Sequence, residues 1–428
     1  PARRWARTVH PPRTRWRTWP RFSLAIAITA VLLVVVLQDR ALADGTGASS
    51  LSQLAKLTAG AGSEGDEFGS SIALDDTVVV AGAPGSHESP GFAYVVRMPD
   101  GGWGGSSNET IGLTSGDGGA GDGFGTSVSI DGSTAVVGAP GTGSVYVFTQ
   151  NGGGWGREAK LTGDGGGFGT SVSVSGSTVV VGAPGAGSAY VFTRNGGSWP
   201  EQAKLTASDG GPDHEFGYSV AIDGDNVVVG APGDNDDKGS TYIYVKAAGG
   251  WEDMTQTAKL TARGSAVGDR LGFSVALDGE TVVAGAPGKD EGSIVDQGSA
   301  YVFLKFQPTW SDLTHVARLT ADDGSADLMG LGGAFGHSVA VSGDTVVVGA
   351  PKDHVGLNLR RGSAYAFLRM ESGWGDMTQT AKLTATDRWP FDQFGTSVAS
   401  SNGFHLIGSP KKENGKGAGY IFAGPRTS

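Results

Sequence analysis

The acidic loop Asp234-Asn235-Asp236-Asp237-Lys238-Gly239 brings several potential ligand atoms together in six residues. Closely spaced carboxylates can contact a cation or the basic side chains of a partner. They can also simply keep a loop solvated. We predict that Asp234, Asp236 and Asp237 form a binding surface, and we interpret this loop as a contact surface more than as a metal site.

Three other acidic residues lie in two segments that, like that loop, follow a Gly-Ala-Pro tripeptide. Asp290 and Glu291 lie in the segment Gly288–Gly298, and Asp353 lies just after Gly349–Pro351. The segments after these tripeptides differ in length and sequence along the chain, and variable loops on a rigid scaffold commonly carry binding. We therefore include Asp290, Glu291 and Asp353 among the candidate binding residues.

Residues for catalysis are not arranged in any recognisable set. His214, His337 and His354 occur in or near variable segments, without a paired acid and nucleophile. A Ser recurs along the chain, but no His or acid recurs beside it to activate it. The chain has no Cys, which excludes disulfides and thiolate metal ligands. We predict no catalytic residue, no metal ligand and no enzyme activity.

The charge of the chain is divided unevenly. Residues 1–43 carry eight Arg and one acidic residue, and the remainder has 24 basic and 42 acidic residues, a net charge of −18. So acidic a surface repels nucleic acid phosphates and anionic membranes. The expected partners are an extracellular or cell-surface protein or a glycan, not nucleic acid.

The N-terminal 43 residues are typical of a signal peptide. Seven Arg precede the apolar run Phe22–Leu37, and Ala41-Leu42-Ala43 resembles a cleavage site. The apolar run is near the lower limit for crossing a bilayer, so an uncleaved anchor is the alternative. We expect residues 44–50 to form a short linker. No second apolar segment of that length follows, and we expect a secreted, periplasmic or cell-surface protein.

The candidate residues lie in a unit that recurs seven times. In Phe216–Ala262 the unit holds four short apolar runs separated by turns, which predicts a four-stranded antiparallel meander. Each copy begins with Phe-Gly or Leu-Gly, at residues 68, 124, 168, 216, 271, 335 and 394. Each also has Gly-Ala-Pro or Gly-Ser-Pro, which starts at residues 82, 138, 182, 230, 285, 349 and 408.

The fourth strand of the unit is offset along the chain. Its first copy precedes the first Phe-Gly pair, and no copy follows the last third strand, Tyr420–Phe422. An open array would leave an unpaired strand edge. We predict an all-β fold, a seven-bladed β-propeller at residues 51–424, in which Leu54–Ala59 completes the last blade. Residues 425–428 are a C-terminal tail.

Two more positions recur with the unit. A Ser lies two residues after each Phe-Gly or Leu-Gly pair, where the innermost strands converge, and we expect it to pack and hydrogen bond at the channel. A Trp follows the third strand in six repeats. We expect this Trp to cover the rim of its blade, and an exposed position for stacking on sugars is the alternative.

Phe-Gly followed by Gly-Ala-Pro at this spacing resembles the FG-GAP repeat of integrin α-subunit propellers and of many bacterial surface proteins. The resemblance covers residues 51–424 and implies an extracellular platform for adhesion or recognition. Integrin-type repeats often carry an Asp-x-Asp-x-Asp-Gly calcium loop between the first two strands. Here that turn is only a short Asp-Gly or Ser-Gly hairpin, so we expect no cofactor. Calcium at Asp234–Gly239 is the open alternative, although Lys238 replaces an oxygen ligand.

In a meander, the loops between strands two and three and between successive repeats share one face, here called the variable face. In the first four repeats its loops hold 13 acidic residues against Lys238 alone. We predict a non-catalytic adhesion or recognition module that binds through this face. A lectin-like or ligand-sensing propeller is the alternative, and an enzyme with its site at the propeller mouth is less favoured. Asn108-Glu109-Thr110 could be glycosylated in a eukaryotic host.

Overall fold

The structure, a computed structural model, describes residues 51–60, 62–85, 90–104, 110–163, 166–324, 332–354 and 360–424. All of them belong to one compact unit, Ala48–Ser428. The predicted signal peptide, the linker 44–50, the tail 425–428 and two residues of the sequon, Asn108 and Glu109, lie outside the described residues.

The described strands form seven mainly antiparallel sheets, each built mainly from one repeat. Blade one contains β2 (Ser71–Asp75), β3 (Val78–Ala83), β4 (Phe92–Arg97) and β5 (Thr110–Leu113). Blade two contains β6 (Ser127–Asp131), β7 (Thr134–Ala139), β8 (Ser144–Asn151) and β9 (Gly154–Thr162). Blade three contains β10 (Ser171–Ser175), β11 (Thr178–Ala183), β12 (Ser188–Thr193) and β13 (Glu201–Thr206). Blade four contains β14 (Ser219–Asp223), β15 (Asn226–Ala231), β16 (Ser240–Val245) and β18 (Ala258–Thr261).

The remaining blades follow the same order. Blade five contains β19 (Ser274–Asp278), β20 (Thr281–Ala286), β21 (Ser299–Leu304) and β23 (Ala317–Thr320). Blade six contains β24 (Ser338–Ser342), β25 (Thr345–Ala350), β26 (Ser363–Leu368) and β28 (Ala381–Leu383). Blade seven contains β29 (Val398–Ser401), β30 (Phe404–Ser409), β31 (Ala418–Ala423) and, from the other end of the described chain, β1 (Gln53–Leu57).

β1 completes blade seven by pairing antiparallel with β31, and Lys56 lies opposite Tyr420. The predicted closure of the ring by Leu54–Ala59 is therefore confirmed. The first strands of neighbouring blades contact one another around the whole ring, including β2 with β29. Because β1 pairs with β31, the last blade does not end in an uncovered third strand, which is the physical advantage of a closed ring.

A ring of hydrogen bonds joins the blades near the axis, and it uses the recurring Ser. Ser219 Oγ donates to the carbonyl oxygen of Gly272 in the next blade at 2.8 Å. A Cβ added to Gly230 would lie 2.0 Å from that oxygen and 2.3 Å from Ser219 Oγ. Only Gly fits this contact, which explains the Gly of Gly-Ala-Pro. The same Ser-to-Gly hydrogen bond forms at every blade boundary.

The core lies between blades. Second strands such as β15 are apolar on both sides because a neighbouring blade covers each face. One cluster packs Val180 and Val191 of blade three against Val227 and Tyr242 of blade four. The repeated Trp belongs to this core, as predicted. Five are buried, and Trp155 is partly buried: Trp103, Trp199, Trp251, Trp310 and Trp374 are the five.

Blades three to five have a fifth strand that sequence analysis did not predict. The two-residue strands β17 (Met254–Thr255), β22 (Leu313–Thr314) and β27 (Met377–Thr378) each pair in parallel with the outer strand of the preceding blade. They cover an outer edge that would otherwise be open. Strands so short have no readable periodicity, so only the position of the next blade reveals them.

Helical segments among the described residues are single turns. Three are 3-10 turns, and two are α-helical by hydrogen bonding but contain left-handed residues: Pro140–Thr142, Pro184–Ala186, Pro212–His214, Asp234–Asp237 and Lys412–Gly415. In the part of the chain that the structure describes, no helix is long and apolar enough to span a membrane.

Candidate functional site

The variable face is assembled from two kinds of loop that lie against each other. In blade four, the backbone N–H of Gly233, between β15 and β16, donates to the carbonyl oxygen of His214, in the loop that precedes β14. The equivalent bond in blade five joins Gly288 to Asp269. The loops predicted to share one face therefore do so, and the candidate residues lie on that face.

Asp234 is not available as a surface ligand. The residue is 3% exposed, and its carboxylate accepts hydrogen bonds from Ser240 Oγ at 2.6 Å and Lys259 Nζ at 2.7 Å. Lys259 also contacts Asp209 at 2.6 Å, and Tyr242 donates to Asp209 at 3.0 Å. Burial lowers the pKa of Lys259, but the two carboxylates outweigh it and raise that pKa above its usual value.

Asp353 has the same role in blade six. It is 2% exposed, and its carboxylate lies 3.0 Å from Lys382 Nζ and accepts the Tyr365 hydroxyl at 2.9 Å. Lys382 also contacts Asp323 at 2.5 Å. Burial raises the pKa of Tyr365 well above its usual value, so its hydroxyl remains a donor. Asp353 therefore belongs to an internal ion network and not to an exposed acidic surface.

This network recurs in other blades, and it explains why the fourth strand carries a Lys. In blade two, Lys160 and Tyr146 both contact Asp117. In blade seven, Lys56 lies 2.8 Å from Asp387 and 2.7 Å from Glu413. A fourth-strand Lys thus ties the loops of the variable face to the blade beneath them.

The other predicted residues differ in exposure. Glu291 is partly buried and pairs with Arg318 and with Ser299 Oγ. Asp290 is exposed and accepts a hydrogen bond from the backbone of Asp296. Asp236 and Asp237 are exposed, each with a φ of 59°. Of the six predicted residues, Asp236, Asp237 and Asp290 are the ones whose side chains are open to a partner.

A cleft of about 730 Å³ lies on this face where blade seven meets blade one. We call it the seam cleft. It is lined by the loop before β29, by the loop between β30 and β31, and by the loop before β2, through Trp389–Gln393, Lys411, Glu413–Gly415, Gly65 and Glu67. Trp389 is 69% exposed and Phe391 is 60% exposed. Neither residue is among those predicted from the sequence.

Both aromatic residues depart from the repeat pattern. Phe391 stands three residues before Phe394, where the equivalent residues of blades one, two and five are Gly65, Gly121 and Gly268. Phe391 keeps the positive φ of these Gly residues, 66°. A left-handed conformation costs a non-Gly residue roughly 1–2 kcal/mol.

Trp389 has smaller equivalents in the same way. Ala266 and Ser63 occupy its position, five residues before Leu271 and Phe68. All three backbone N–H groups donate to the Asp three residues later, Asp392 in the case of Trp389. The loop conformation therefore does not require an aromatic residue there. Trp389 is also the single Trp after residue 50 outside the recurring position, a signal readable from sequence.

The loop beneath these aromatic residues is held by a buried ion pair and hydrogen bonds. Asp392 is buried and lies 3.0 Å from Lys412 Nζ, which is itself buried and also donates to the carbonyl oxygen of Asp387. The backbone N–H of Trp389 donates to the same Asp392 carboxylate at 2.6 Å. A site whose backbone is ordered in advance loses less entropy when it binds a ligand.

The acidic loops do not assemble a set of metal ligands in the described residues. Among the described residues, no three His, Cys, Asp or Glu side chains are grouped so that they could hold a metal ion. Calcium at Asp234–Gly239 was the alternative that the sequence left open. In this loop the Asp234 carboxylate already accepts hydrogen bonds from Lys259 and Ser240. The residues at this loop therefore do not fit a cation site.

The fold and the variable face define a seven-bladed β-propeller whose blades are tied by Phe-Gly and Gly-Ala-Pro contacts. The chain belongs to the FG-GAP repeat family, which matches seven times, at residues 51–96, 108–148, 155–192, 199–244, 254–303, 313–367 and 377–422. No curated protein matches the chain.

Solved structures share the architecture. The chain is similar to the WD40 β-propeller domain of Doa1, with a TM-score of 0.53 and 12% identity over 87% of this chain and 97% of that one. It is also similar to U3-55K, with a TM-score of 0.58 and 12% identity over 87% of this chain and all of that one. At this level of identity the likeness concerns the fold alone.

Proposed function

We propose that this protein is a non-catalytic extracellular recognition module that binds a protein or glycan partner through the variable face. The observation that carries the proposal is the exposure of Trp389 and Phe391 in the seam cleft. Aromatic side chains are enriched in binding surfaces because they offer a large contact area at low entropic cost. Neither is needed by the fold, since other repeats have Ala, Ser or Gly in their place.

The acidic loops contribute a second part of the contact surface. Asp236, Asp237 and Asp290 are exposed on the variable face and favour a partner with basic groups. Asp234, Glu291 and Asp353 position the loops through ion pairs within the blades. The proposal therefore assigns contact to three of the predicted acids and loop positioning to the other three.

The test measures retention of the labelled protein on intact cells and cell-envelope material from the organism that produces it. We expect Trp389→Ala/Phe391→Gly and Asp236→Lys/Asp237→Lys each to lower retention several-fold. The matched control is Asp225→Lys/Glu280→Lys, which reverses two exposed charges on the opposite face. Equal retention of all three variants and the wild type would contradict binding through the variable face.

A further inference from the structure

We propose that the seam cleft binds a pyranose unit of an uncharged saccharide chain, stacked on Trp389 and Phe391. This inference rests on the proposed function and names a ligand class for it. It is distinct from the acidic loops of blades four and five, because the cleft lies at the junction of blades seven and one.

The volume of the cleft favours a ligand of a few sugar rings over the surface of a protein partner. Pockets for small molecules usually enclose about 300–1,000 Å³, and the seam cleft has about 730 Å³. A specific protein interface instead needs roughly 800 Å² from each partner. One or a few sugar rings at the end or along the side of a chain match the cleft volume.

The aromatic residues supply the apolar contact that a sugar ring requires. One face of a pyranose presents C–H groups, and these carry a partial positive charge that the negative face of an aromatic ring attracts. Trp389 and Phe391 lie two residues apart in one loop, and both are exposed. Phe391 is held in a left-handed conformation that its equivalents reach with Gly, so the loop presents this ring at an energetic cost.

The charges of the cleft favour an uncharged ligand. Glu67 pairs with Lys411, and Glu413 pairs with Lys56 at 2.7 Å. Asp392 pairs with Lys412 at 3.0 Å. The ionised side chains that line the cleft therefore already have opposite charges beside them, and a charged ligand would have to displace one of those pairs.

The polar groups at the rim of the cleft can hydrogen bond to the hydroxyl groups of a sugar. Asn414 donates through Nδ2 to Glu64 Oε1 at 3.2 Å, and its amide oxygen is a further acceptor. Gln393 lines the same cleft, and a Gln amide carries both a donor and an acceptor. A small number of polar groups around apolar rings is the usual composition of a site that orients a small ligand.

Intrinsic fluorescence can follow this site directly. Trp389 is the exposed Trp among the described residues, Trp155 is partly buried, and the other five are buried: Trp103, Trp199, Trp251, Trp310 and Trp374. Cellohexaose, chitohexaose, maltohexaose, mannohexaose and xylohexaose are titrated into the full chain, with calorimetry and acrylamide quenching as readouts. We expect at least one of them to bind and to protect a Trp from quenching. Protection should disappear in Trp389→Phe, although that variant retains part of the affinity.

The decisive comparison uses Trp389→Ala/Phe391→Gly, which reproduces the residues of the blade-five loop at Ala266 and Gly268. We expect it to weaken saccharide binding about ten-fold or more, as the loss of a central aromatic contact does. Phe306→Ala, which removes an exposed aromatic residue elsewhere, is the matched control and should leave binding unchanged.

Two outcomes would overturn the inference. One is that none of the five oligosaccharides binds, and the other is that they bind the double variant as well as the wild type. If none binds but the double variant still loses retention on cells, the proposed function stands and the inference of an uncharged saccharide in the seam cleft fails. If none binds and retention is also unchanged, both proposals fail together.

Discussion

Ser397 of the last blade donates a hydrogen bond to the carbonyl oxygen of Gly69 in the first blade at 2.7 Å, across 328 positions of the chain. This bond is equivalent to the one between Ser171 and Gly217, which joins two blades adjacent in sequence. The boundary between the chain's two ends is therefore built like the internal boundaries of the ring.

The equivalence of these boundaries can be measured. Ser397→Ala and Ser171→Ala each remove one such hydrogen bond, and each should lower the free energy of unfolding by about 1–2 kcal/mol. Urea denaturation of the two variants checks this. If Ser397→Ala were neutral while Ser171→Ala destabilised, the ring would not be closed in solution.

The ion network beneath the variable face should be sensitive to loss of its Lys. Lys382→Met leaves Asp323 and Asp353 without their shared cation, and breaking a buried pair typically costs about 3–5 kcal/mol. Lys246→Met is the matched control, because its pair with Asp225 is at the surface and contributes at most about 1 kcal/mol. Thermal melts of both variants would show a large decrease in Tm for Lys382→Met alone.

His405 should make the protein less stable in mild acid. Burial of the imidazole lowers the pKa of His405 to about 4, whereas an unfolded chain has a His pKa of about 6.5. Between these values the unfolded state binds a proton that the folded state does not, so the free energy of unfolding falls as the pH decreases. At pH 5 the loss is about 2 kcal/mol.

A matched substitution for His405 exists within the chain. In the other six blades this strand position is Val or Ala, at residues 79, 135, 179, 227, 282 and 346. His405→Val should narrow the difference between denaturation midpoints at pH 7 and pH 5. His337, whose pKa is also lowered to about 4 by burial, is present in both proteins and so does not affect the comparison. An unchanged difference would show that His405 is not responsible.

Phe391→Gly should weaken binding at the seam cleft without lowering the stability of the fold. It removes a left-handed non-Gly residue, which relieves roughly 1 kcal/mol of strain, although Gly also adds entropy to the unfolded chain. We expect the denaturation midpoint to stay the same or to rise, while binding at the seam cleft weakens. A marked fall in the midpoint would mean that Phe391 supports the fold.

The fold could be predicted from sequence because the repeat is local and regular. Each Phe-Gly, Gly-Ala-Pro and Ser position meets the same neighbours in every blade, so counting copies was enough to predict seven blades and the closing strand. The parallel fifth strands could not be predicted in this way, because a two-residue segment such as Met254–Thr255 becomes a strand only when the preceding blade's edge lies beside it.

The candidate site was predicted less well. Asp234 and Asp236 are two residues apart in one acidic loop, yet the first is buried against Lys259 and the second is exposed. The sequence of the loop does not show which of these two Asp residues is buried and which is exposed. Trp389 and Phe391 could have been noticed as departures from the repeat, but their position beside Gly65 of the first blade could not.

The sequence by itself determined the repeat, the number of blades and the face that carries the variable loops, because these follow from short-range pattern and alternation. Only the tertiary structure decided which acidic residues form ion pairs and which are exposed, because the Lys side chains of these ion pairs lie on other strands. It also created the seam cleft, because ring closure brings together residues that are more than 300 positions apart in the chain.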